Sequence, residues 1–356
     1  MTNNQHLFLD IHAIQTLPPS NINRDDTGSP KTAQYGGARR ARVSSQSWKR
    51  AMRKYFYEYS NQKNLGKRTK NSVDFISSKI VEKDNKISRV KAEKLAKKVL
   101  TIIGAPTNGK EWIFISNGQA EELANASITE NLDKDALLDI YKNIPLDVAL
   151  FGRMVAGKPL LNTDASSQVA HAISTHVVQT EFDYFTTVDD LPAEESSGAG
   201  FLESAEFNSS TLYRYANVAV HELLEQLGNN KRSLVNSLSL FIEAFTKSLP
   251  TGKVTSFANQ TLPQALVVTL RNDRPISLVS AFEKPVKSSE GYVTKSIEKL
   301  SNEFVKVEKF VNKPVLTFYV TLEDVEELKN IGGIEKNSMS ELLNDFSKEL
   351  SNLIQE

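Results

Sequence analysis

The residues best suited to do chemistry in this 356-residue chain form a basic stretch near its N-terminus. Between Arg39 and Lys54 the sequence contains seven lysine or arginine side chains and no aspartate or glutamate. The chain as a whole is balanced, with 43 Lys and Arg against 43 Asp and Glu. A basic stretch confined to one part of a neutral protein predicts a dedicated site for a polyanion rather than general attraction to anions.

The first half of this stretch offers two kinds of phosphate ligand. The pair Gly36 and Gly37 can present backbone amides where a side chain would obstruct close approach. Arg39, Arg40 and Arg42 supply planar, forked guanidinium donors that match the geometry of a phosphate group. Both features favour contacts with the phosphate-sugar chain rather than with base edges, so we expect binding that does not depend on base sequence.

The second half of the stretch predicts a helix that begins at Ser44 or Ser45, either of which is a good N-cap. The first amides of such a helix and the positive end of its dipole would attract an anion. Gln46, Lys49 and Arg53 follow at helical spacing on one face. The expected buried stripe of this helix is Trp48, Ala51, Met52, Tyr55 and Tyr59. A solvated cationic surface helix remains the alternative interpretation.

The sequence offers fewer candidates for catalysis than for phosphate binding. Asp25 and Asp26, beside Arg24 in the loop after the first strand, could hold a divalent ion for phosphodiester cleavage. The alternative is that this pair braces its loop through ion pairs or contacts a partner. His171 and His176 are five residues apart and do not share a helical face, and no metal-ligand spacing occurs. The candidates for catalysis are therefore weak, both interpretations of Asp25 and Asp26 stay open, and no cofactor is expected.

Composition narrows the class of protein. The sequence has no cysteine, which excludes disulfides, thiolate metal sites and a cysteine nucleophile. The first residues lack the basic region and cleavage site of a signal peptide, and no apolar run approaches the roughly 20 residues of a membrane span. The expectation is a cytoplasmic protein that does not associate with membranes.

The pattern of apolar residues predicts an α+β fold that would carry the basic stretch. Residues 7–14 alternate as a strand with two apolar faces, and a turn-rich segment follows from Pro18-Pro19 to Gly37. Residues 61–180 are mostly helical, including 110–127, although 167–179 fits either helix or strand. Further elements are predicted as strands at 181–189, 211–220, 264–271 and 314–322 and helices at 231–250, 296–311 and the acidic C-terminus. Without the 61–180 insertion, the order β-α-β-β-α-β is the ferredoxin-like order of RNA-recognition modules (RRM).

A long loop is predicted at 191–210, where small and polar residues surround Phe201 and Leu202. Loops of this length within a domain are commonly functional, and an exposed apolar pair needs something to cover it. The pair could instead dock on the core of the protein itself.

Several short motifs, taken in order, make the chain resemble a known family. They are NINRDD at 21–26, YGGARRARVSSQSWKRAMR at 35–53, FGRM at 151–154, AHAISTH at 170–176, TTVDDL at 186–191, YRYANV at 213–218 and AFEKPVK at 281–287. In this respect the chain resembles the CasC (Cse-type) backbone family of the type I-E CRISPR surveillance complex, Cascade. Beyond Lys287 the expectation rests on pattern alone.

The resemblance implies an RRM/ferredoxin-like palm with a large helical (fingers) insertion and a long thumb loop. Residues 1–60 would form the first strand-loop-helix unit of the palm, 61–180 the fingers, and 181–356 the remaining palm with the thumb at about 191–210. The guide-binding residues it implies are Arg24, Lys31, Gly36, Gly37, Arg39, Arg40, Ser44, Gln46, Lys49 and Arg53. Met154 would press on bases as an apolar wedge, and Phe201-Leu202 would lie near the thumb tip.

The family also implies partners. They are the CRISPR RNA (crRNA) guide, further copies of this chain in a filament along it, other Cascade subunits, and target DNA recognised through guide base pairing. A non-catalytic scaffold follows from this resemblance. The alternative is a metal-dependent ribonuclease subunit of the type III kind, with Asp25 or Asp26 as its catalytic residue.

Overall fold

The computed structural model describes residues 6–60, 65–155, 157–187 and 201–355. The strands are β1 Phe8–Ser20, β2 Thr32–Tyr35, β3 Ala38–Val43, β4 Gly66–Thr69, β5 Ile113–Ser116, β6 Ser167–Val169, β7 Ala172–Ser174, β8 Glu181–Thr187, β9 Phe201–Ala219, β10 Ala265–Arg271, β11 Leu316–Thr321 and β12 Ile334–Glu335. The helices are α1 Ser45–Tyr59, α2 Ser72–Lys83, α3 Arg89–Ile102, α4 Asn117–Ile128, α5 Lys134–Lys142, α6 Leu146–Phe151, α7 Val220–Gln226, α8 Lys231–Lys247, α9 Val254–Phe257, α10 Val293–Val307, α11 Glu326–Lys329 and α12 Met339–Gln355. The predicted α+β class is confirmed. None of these helices is long and apolar enough to cross a membrane.

One large, mostly antiparallel sheet organises the fold, with the strand order β12-β11-β10-β1-β9-β7-β3-β2. Strand β1 lies between β9 and β10, so that Phe8 is opposite both Ala219 and Arg271. A smaller two-stranded ribbon pairs β4 with β5. The predicted first strand is therefore central, as its two apolar faces indicate.

Strand β1 is covered on both faces because it contributes to two apolar clusters. Leu9 and Ile11 pack in the cluster that includes α1, α8 and α12, whereas Ile14 packs in the cluster that includes α10. A third cluster draws all its buried members from residues 76–161, which pack mainly on one another. The predicted helical insertion thus has an apolar core of its own.

Local predictions failed where a strand depends on a distant partner. Pro18-Pro19 does not end β1, which continues to Ser20 across an irregularity in its pairing with β9. Residues 32–43 form the β2–β3 hairpin rather than irregular turns. Residues 113–116 are strand within a segment predicted as helix, and 201–210 are strand rather than loop. The ambiguous 167–179 segment contains strands β6 and β7.

Helix α1 packs on the sheet through the face that its apolar spacing predicts, except that one predicted residue is exposed and another takes its place. Trp48, Ala51, Met52 and Tyr55 are buried as expected. Tyr59 is 65% exposed, and Phe56 is the residue that completes the buried face. Tyr59 is the last helical residue, and its ring stacks on that of Tyr55 with a centroid distance of 4.3 Å.

Candidate nucleic-acid interface

The N-terminus of α1 is held by contacts within the protein. Ser44 is the N-cap, as predicted, and its hydroxyl accepts a hydrogen bond from the amide of Ser47 at 3.4 Å. The amide of Ser44 donates to Asn23 Oδ1 at 2.8 Å, and the amide of Ser45 donates to His171 Nδ1 at 3.0 Å. The prediction of unpaired amides is therefore wrong for Ser44 and Ser45, whose amides are paired within the protein.

Gly36 and Gly37 form the turn of the β2–β3 hairpin. Tyr35 pairs with Ala38, so the two glycines are a two-residue loop, and their φ angles of 59° and 72° are those of a type I′ turn. A Cβ atom on Gly36 would lie 1.6 Å from the carbonyl oxygen of Glu283, whereas one on Gly37 would meet open space. The conformation and the close contact explain Gly36 without a phosphate ligand, and at Gly37 the space beside Cα stays open.

Arg40 is buried, and this corrects its predicted contact with a guide. Its guanidinium donates to the carbonyl oxygens of Ser174 and Phe282, each at 2.8 Å, and of Glu283 at 3.3 Å. None of its surface is exposed. The neighbouring Arg39 is exposed, so its contact with a guide stays a prediction, while Arg40 ties the hairpin to the segment around Glu283.

Lys31 and Arg42 form a cationic group beside the start of α1, next to a neutral His171. The amide of Arg42 donates to the carbonyl of Lys31 at 2.9 Å, which fixes the spacing of the two backbones. Burial lowers the pKa of His171, and the nearby charges of Arg42 and Lys31 lower it further. Because Nδ1 of His171 accepts from Ser45, its proton lies on Nε2, which can donate outward. Sequence reasoning did not select His171, although it occurs within one of the recognised motifs.

Arg24 lies on a different side of α1. It lines a cleft of about 380 Å³ together with Arg50 and Lys54 of α1. These two helix residues are one position further along than Lys49 and Arg53, so they face about 100° away around the helix. The exposed Gln46 shares the Lys49 and Arg53 face. The predicted residues are thus divided between neighbouring faces of α1.

Asp25 braces the loop that carries Arg24. Its Oδ1 accepts hydrogen bonds from the Thr27 hydroxyl at 2.6 Å and from the amides of Thr27 and Ser29 at 2.9 and 3.0 Å. The hydroxyl bond is the main cause of a lowered pKa at Asp25. The ranges that the structure describes contain no group of three or more His, Asp or Glu residues that could hold a metal ion.

Lys49 and Arg53 belong to a row that we call the cation–aromatic ladder, defined by Lys49, Phe151, Arg53 and Phe114. The Phe151 ring centroid lies 5.8 Å from Lys49 Nζ and 4.7 Å from Arg53 Cζ. The guanidinium of Arg53 also lies 5.3 Å from the Phe114 centroid. Contacts of this type contribute about 0.5–2 kcal/mol each and hold the cations in position without neutralising them.

Asp147 is the acidic partner of the ladder. This side chain is fully buried, and its Oδ2 accepts from Arg53 Nε at 3.2 Å while its Oδ1 accepts from the amide of Gly66 at 2.7 Å. Burial raises the pKa of Asp147 and lowers that of Arg53, although their mutual attraction opposes both shifts. Burial also lowers the pKa of Lys49, as does the charge of Arg53. Asp147 therefore joins α1 to β4 and orients Arg53.

Met154 projects from the loop that follows α6. It is 80% exposed, between the buried residues Arg153 and Val155. Arg153 exchanges backbone hydrogen bonds with Thr163 at 2.8 and 2.9 Å, and its guanidinium lies 4.0 Å from the Tyr141 ring centroid. The loop is thus held in place on both sides of Met154, whose apolar side chain contacts solvent. A wedge that presses on bases requires this arrangement.

Strands β8 and β9 form an antiparallel ribbon in the region of the predicted thumb loop. Thr187 pairs with Phe201 and Thr186 with Leu202. Residues 188–200, which make up much of the predicted loop, lie outside the described residues. Along β8, Phe182 and Tyr184 are 54% and 69% exposed. Residues 201–210 of the predicted loop are therefore strand, and they pair with a strand β8 that carries exposed aromatic residues.

Comparison with known proteins places this geometry in a family. Residues 9–345 match the family described as CT1975-like protein. A chain of a solved "CRISPR RNA-guided surveillance complex, pre-nicking" is similar, with 32% identity and a TM-score of 0.84 over 96% of this chain and 100% of that chain. A chain of a second "CRISPR RNA-guided surveillance complex" is 31% identical, with a TM-score of 0.66 over 96% of this chain and 99% of that chain. No curated protein matches the sequence.

The matched residues span the whole candidate interface, from the loop after β1 to the β8–β9 ribbon. The similarity is therefore not confined to the basic stretch. The chain belongs to the CT1975-like protein family, and over nearly its whole length it is homologous to subunits of CRISPR RNA-guided surveillance complexes.

Proposed function

We propose that this protein is a non-catalytic, crRNA-binding backbone subunit of a type I-E Cascade complex. The observation that carries the proposal is the convergence of cations from separate segments around α1. Lys31 and Arg42 lie beside its start, Lys49 and Arg53 on one face, and Arg24 in the cleft at another. Cations on neighbouring faces of one helix suit a phosphate backbone, and none of these side chains is arranged to read base edges.

The fold supports the same role. The central strands β10-β1-β9-β7 have the order and antiparallel pairing of an RRM/ferredoxin-like sheet, which we assign as the palm. The separate apolar core of residues 76–161 supports a fingers insertion, and the β8–β9 ribbon supports a thumb. In this proposal several copies assemble along one guide, and the target DNA is recognised by base pairing with that guide.

The alternative of a metal-dependent ribonuclease has less support. Asp25 Oδ1 accepts three hydrogen bonds from its own loop, which is the behaviour of a turn brace. We therefore propose a scaffold that leaves target degradation to another protein.

A direct test is co-purification with guide RNA. The chain is expressed with a guide, and its mass with and without bound RNA is measured by light scattering. We expect assemblies of several copies that depend on RNA. The double variant Lys49→Ala with Arg53→Ala should lose most of the RNA. The negative slope of log affinity against log salt should also become shallower by up to about 1.4, since each phosphate contact to a single strand contributes about 0.7.

A charge-matched control is Lys306→Ala with Lys309→Ala, which removes two exposed lysines from the other side of the sheet. Guide retention should be unchanged in this control. Equal retention by the ladder variant and the wild type would contradict the proposed site, and a monomer with no RNA under all conditions would contradict the proposed function.

A further inference from the structure

Trp112 is an exposed aromatic residue among cations. The protein has two tryptophans; Trp48 is 2% exposed, whereas Trp112 is 47% exposed. The indole of Trp112 lies 4.7 Å from Arg68 Cζ and 4.9 Å from Lys70 Nζ, measured from the ring centroid. Each of these cations is itself exposed. A tryptophan that served only to brace the β4–β5 ribbon would be expected to lie beneath it.

The ribbon joins Trp112 to the cation–aromatic ladder. Arg68 pairs with Phe114, and since side chains alternate along a strand, Arg68, Lys70, Trp112 and Phe114 fall on one face. Phe114 is the last member of the ladder and lies against Arg53. The charge of Arg68 also contributes, after burial, to the lowered pKa of Arg53. The row of alternating cations and rings therefore runs without a break from α1 onto the ribbon.

The charge around Trp112 favours an anionic occupant. Arg68, Lys70 and Lys110 are all exposed near Trp112 in the chain or on its face of the ribbon. The acid next to Trp112 in the chain is Glu111, whose Oε1 accepts a hydrogen bond from Asn108 at 3.3 Å. An exposed indole flanked by cations offers a stacking surface for a base and charges for the phosphates on either side of it.

We infer that Trp112, with Arg68 and Lys70, is a second contact for single-stranded nucleic acid. The indole stacks on a base, and the two cations turn from the ring to the flanking phosphates. Because every base has a π-face, this contact does not select a base sequence. The inference rests on the proposed function and extends it, since the nucleic acid would run past α1 along the ladder and onto the β4–β5 ribbon.

Tryptophan fluorescence can test this contact directly. Since Trp48 is buried between the sheet and α1, quenching by a bound base reports on Trp112. A short oligouridylate is titrated into the full-length protein, and binding is followed separately by anisotropy of an end-labelled copy. We expect saturable quenching in the wild type and none in Trp112→Phe, which keeps a stacking ring and should bind within a few-fold of the wild type. Trp112→Ala should bind about 5- to 150-fold more weakly, the range for one base–aromatic stack.

The matched control is Phe310→Ala, which removes another exposed aromatic residue, 91% exposed, from the turn that follows α10. It should bind and quench as the wild type does. One result would overturn the stacking contact and leave the proposed function intact. In that result, RNA binding depends on Lys49 and Arg53, no tryptophan quenching is seen, and Trp112→Ala binds with full affinity. Absence of any RNA binding would overturn both.

A second experiment identifies which nucleic acid, guide RNA or target DNA, stacks on Trp112. Quenching by the RNA alone assigns the contact to the guide. Quenching that begins only when complementary DNA is added to the RNA-bound protein assigns it to the target strand. Both results support stacking, and persistence of full Trp112 emission in both states contradicts it.

Discussion

The guanidinium of Arg214 lies 3.7 Å from the ring centroid of Trp48, in the buried layer between β9 and α1. Its other neighbour is the Phe245 ring at 4.3 Å, and it donates to Gln15 Oε1 and the carbonyl of Phe245. It forms no ion pair with any residue that the structure describes, and burial lowers its pKa to about 9. An unpaired buried cation therefore fixes the helix that presents Lys49 and Arg53.

Arg214→Ala should destabilise the protein by about 3–5 kcal/mol, because it leaves a cavity and two acceptors without donors. Arg214→Met should cost less, since it fills much of the space and removes a buried charge. The two free energies of unfolding can be compared by urea denaturation. The exposed Arg232→Ala is the control and should stay within about 0.5 kcal/mol of the wild type. Equal losses in both Arg214 variants would show that packing at this site is unimportant.

Gly36→Ala should destabilise the protein far more than Gly37→Ala. Both glycines have positive φ, so each alanine carries a strain of about 1 kcal/mol. Only at Gly36 does the added Cβ also meet a backbone oxygen, that of Glu283 at 1.6 Å. Thermal unfolding of the two variants measures the difference. Similar melting temperatures would show that the hairpin does not rest against Glu283.

Asp25→Ala should not change the cleavage of RNA, because the proposed scaffold has no such activity. The measurement is incubation of the assembled complex with complementary RNA and Mg²⁺ or Mn²⁺. We expect intact RNA with the wild type, Asp25→Ala and Asp26→Ala. Cleavage at regular intervals that either substitution abolishes would replace the scaffold with the ribonuclease alternative.

Met154→Ala should weaken binding of guide or target without changing stability. Its side chain is 80% exposed, so the substitution leaves the core intact, and loss of one apolar contact with a base is worth about 1–2 kcal/mol. The corresponding loss of affinity is about 5- to 30-fold. Leu160→Ala, at an 87% exposed position of the same loop, is the control. Equal losses of affinity in Met154→Ala and Leu160→Ala would contradict a specific role of Met154.

His12→Gln should make stability less sensitive to acid. His12 is buried, and burial, with a smaller effect from the charge of Arg271, lowers its pKa from 6.5 to about 3. Below pH 6.5 the unfolded chain therefore binds a proton that the folded protein excludes, so stability falls as pH falls. From neutral pH to about pH 4, the wild type should lose on the order of 3 kcal/mol relative to His12→Gln.

Asp10 acts in the opposite direction, since burial raises its pKa from 3.8 to about 7 and its proton uptake stabilises the folded state as pH falls through that range. Comparing His12→Gln with the wild type cancels this contribution. His221→Gln, at a half-buried position, serves as the control. A constant difference in unfolding free energy across this pH range would exclude His12 as the source.

The sequence predicts those parts of the interface that local chemistry determines. The Ser44 cap, the buried face around Trp48 and the exposed position of Arg39 follow from helix and charge patterns, whereas Lys49 is half-buried. The functions of Arg40 and Gly36 do not, because both are set by Glu283 and its neighbours, far along the chain. Likewise, no local signal indicates that Asp147 pairs with Arg53 or that His171 bonds the amide of Ser45.

The contact of Arg40 with Phe282 also has a consequence for the order of events at the ribosome. The two residues are 242 positions apart, so the bonds that hold the basic hairpin cannot form until most of the chain has been synthesised. Until then the β2–β3 hairpin lacks its anchor, and its exposed arginines could meet cellular RNA in an unfinished geometry. The β2–β3 hairpin is therefore anchored only after the segment around Phe282 has been synthesised, so the basic stretch reaches its final geometry late in folding.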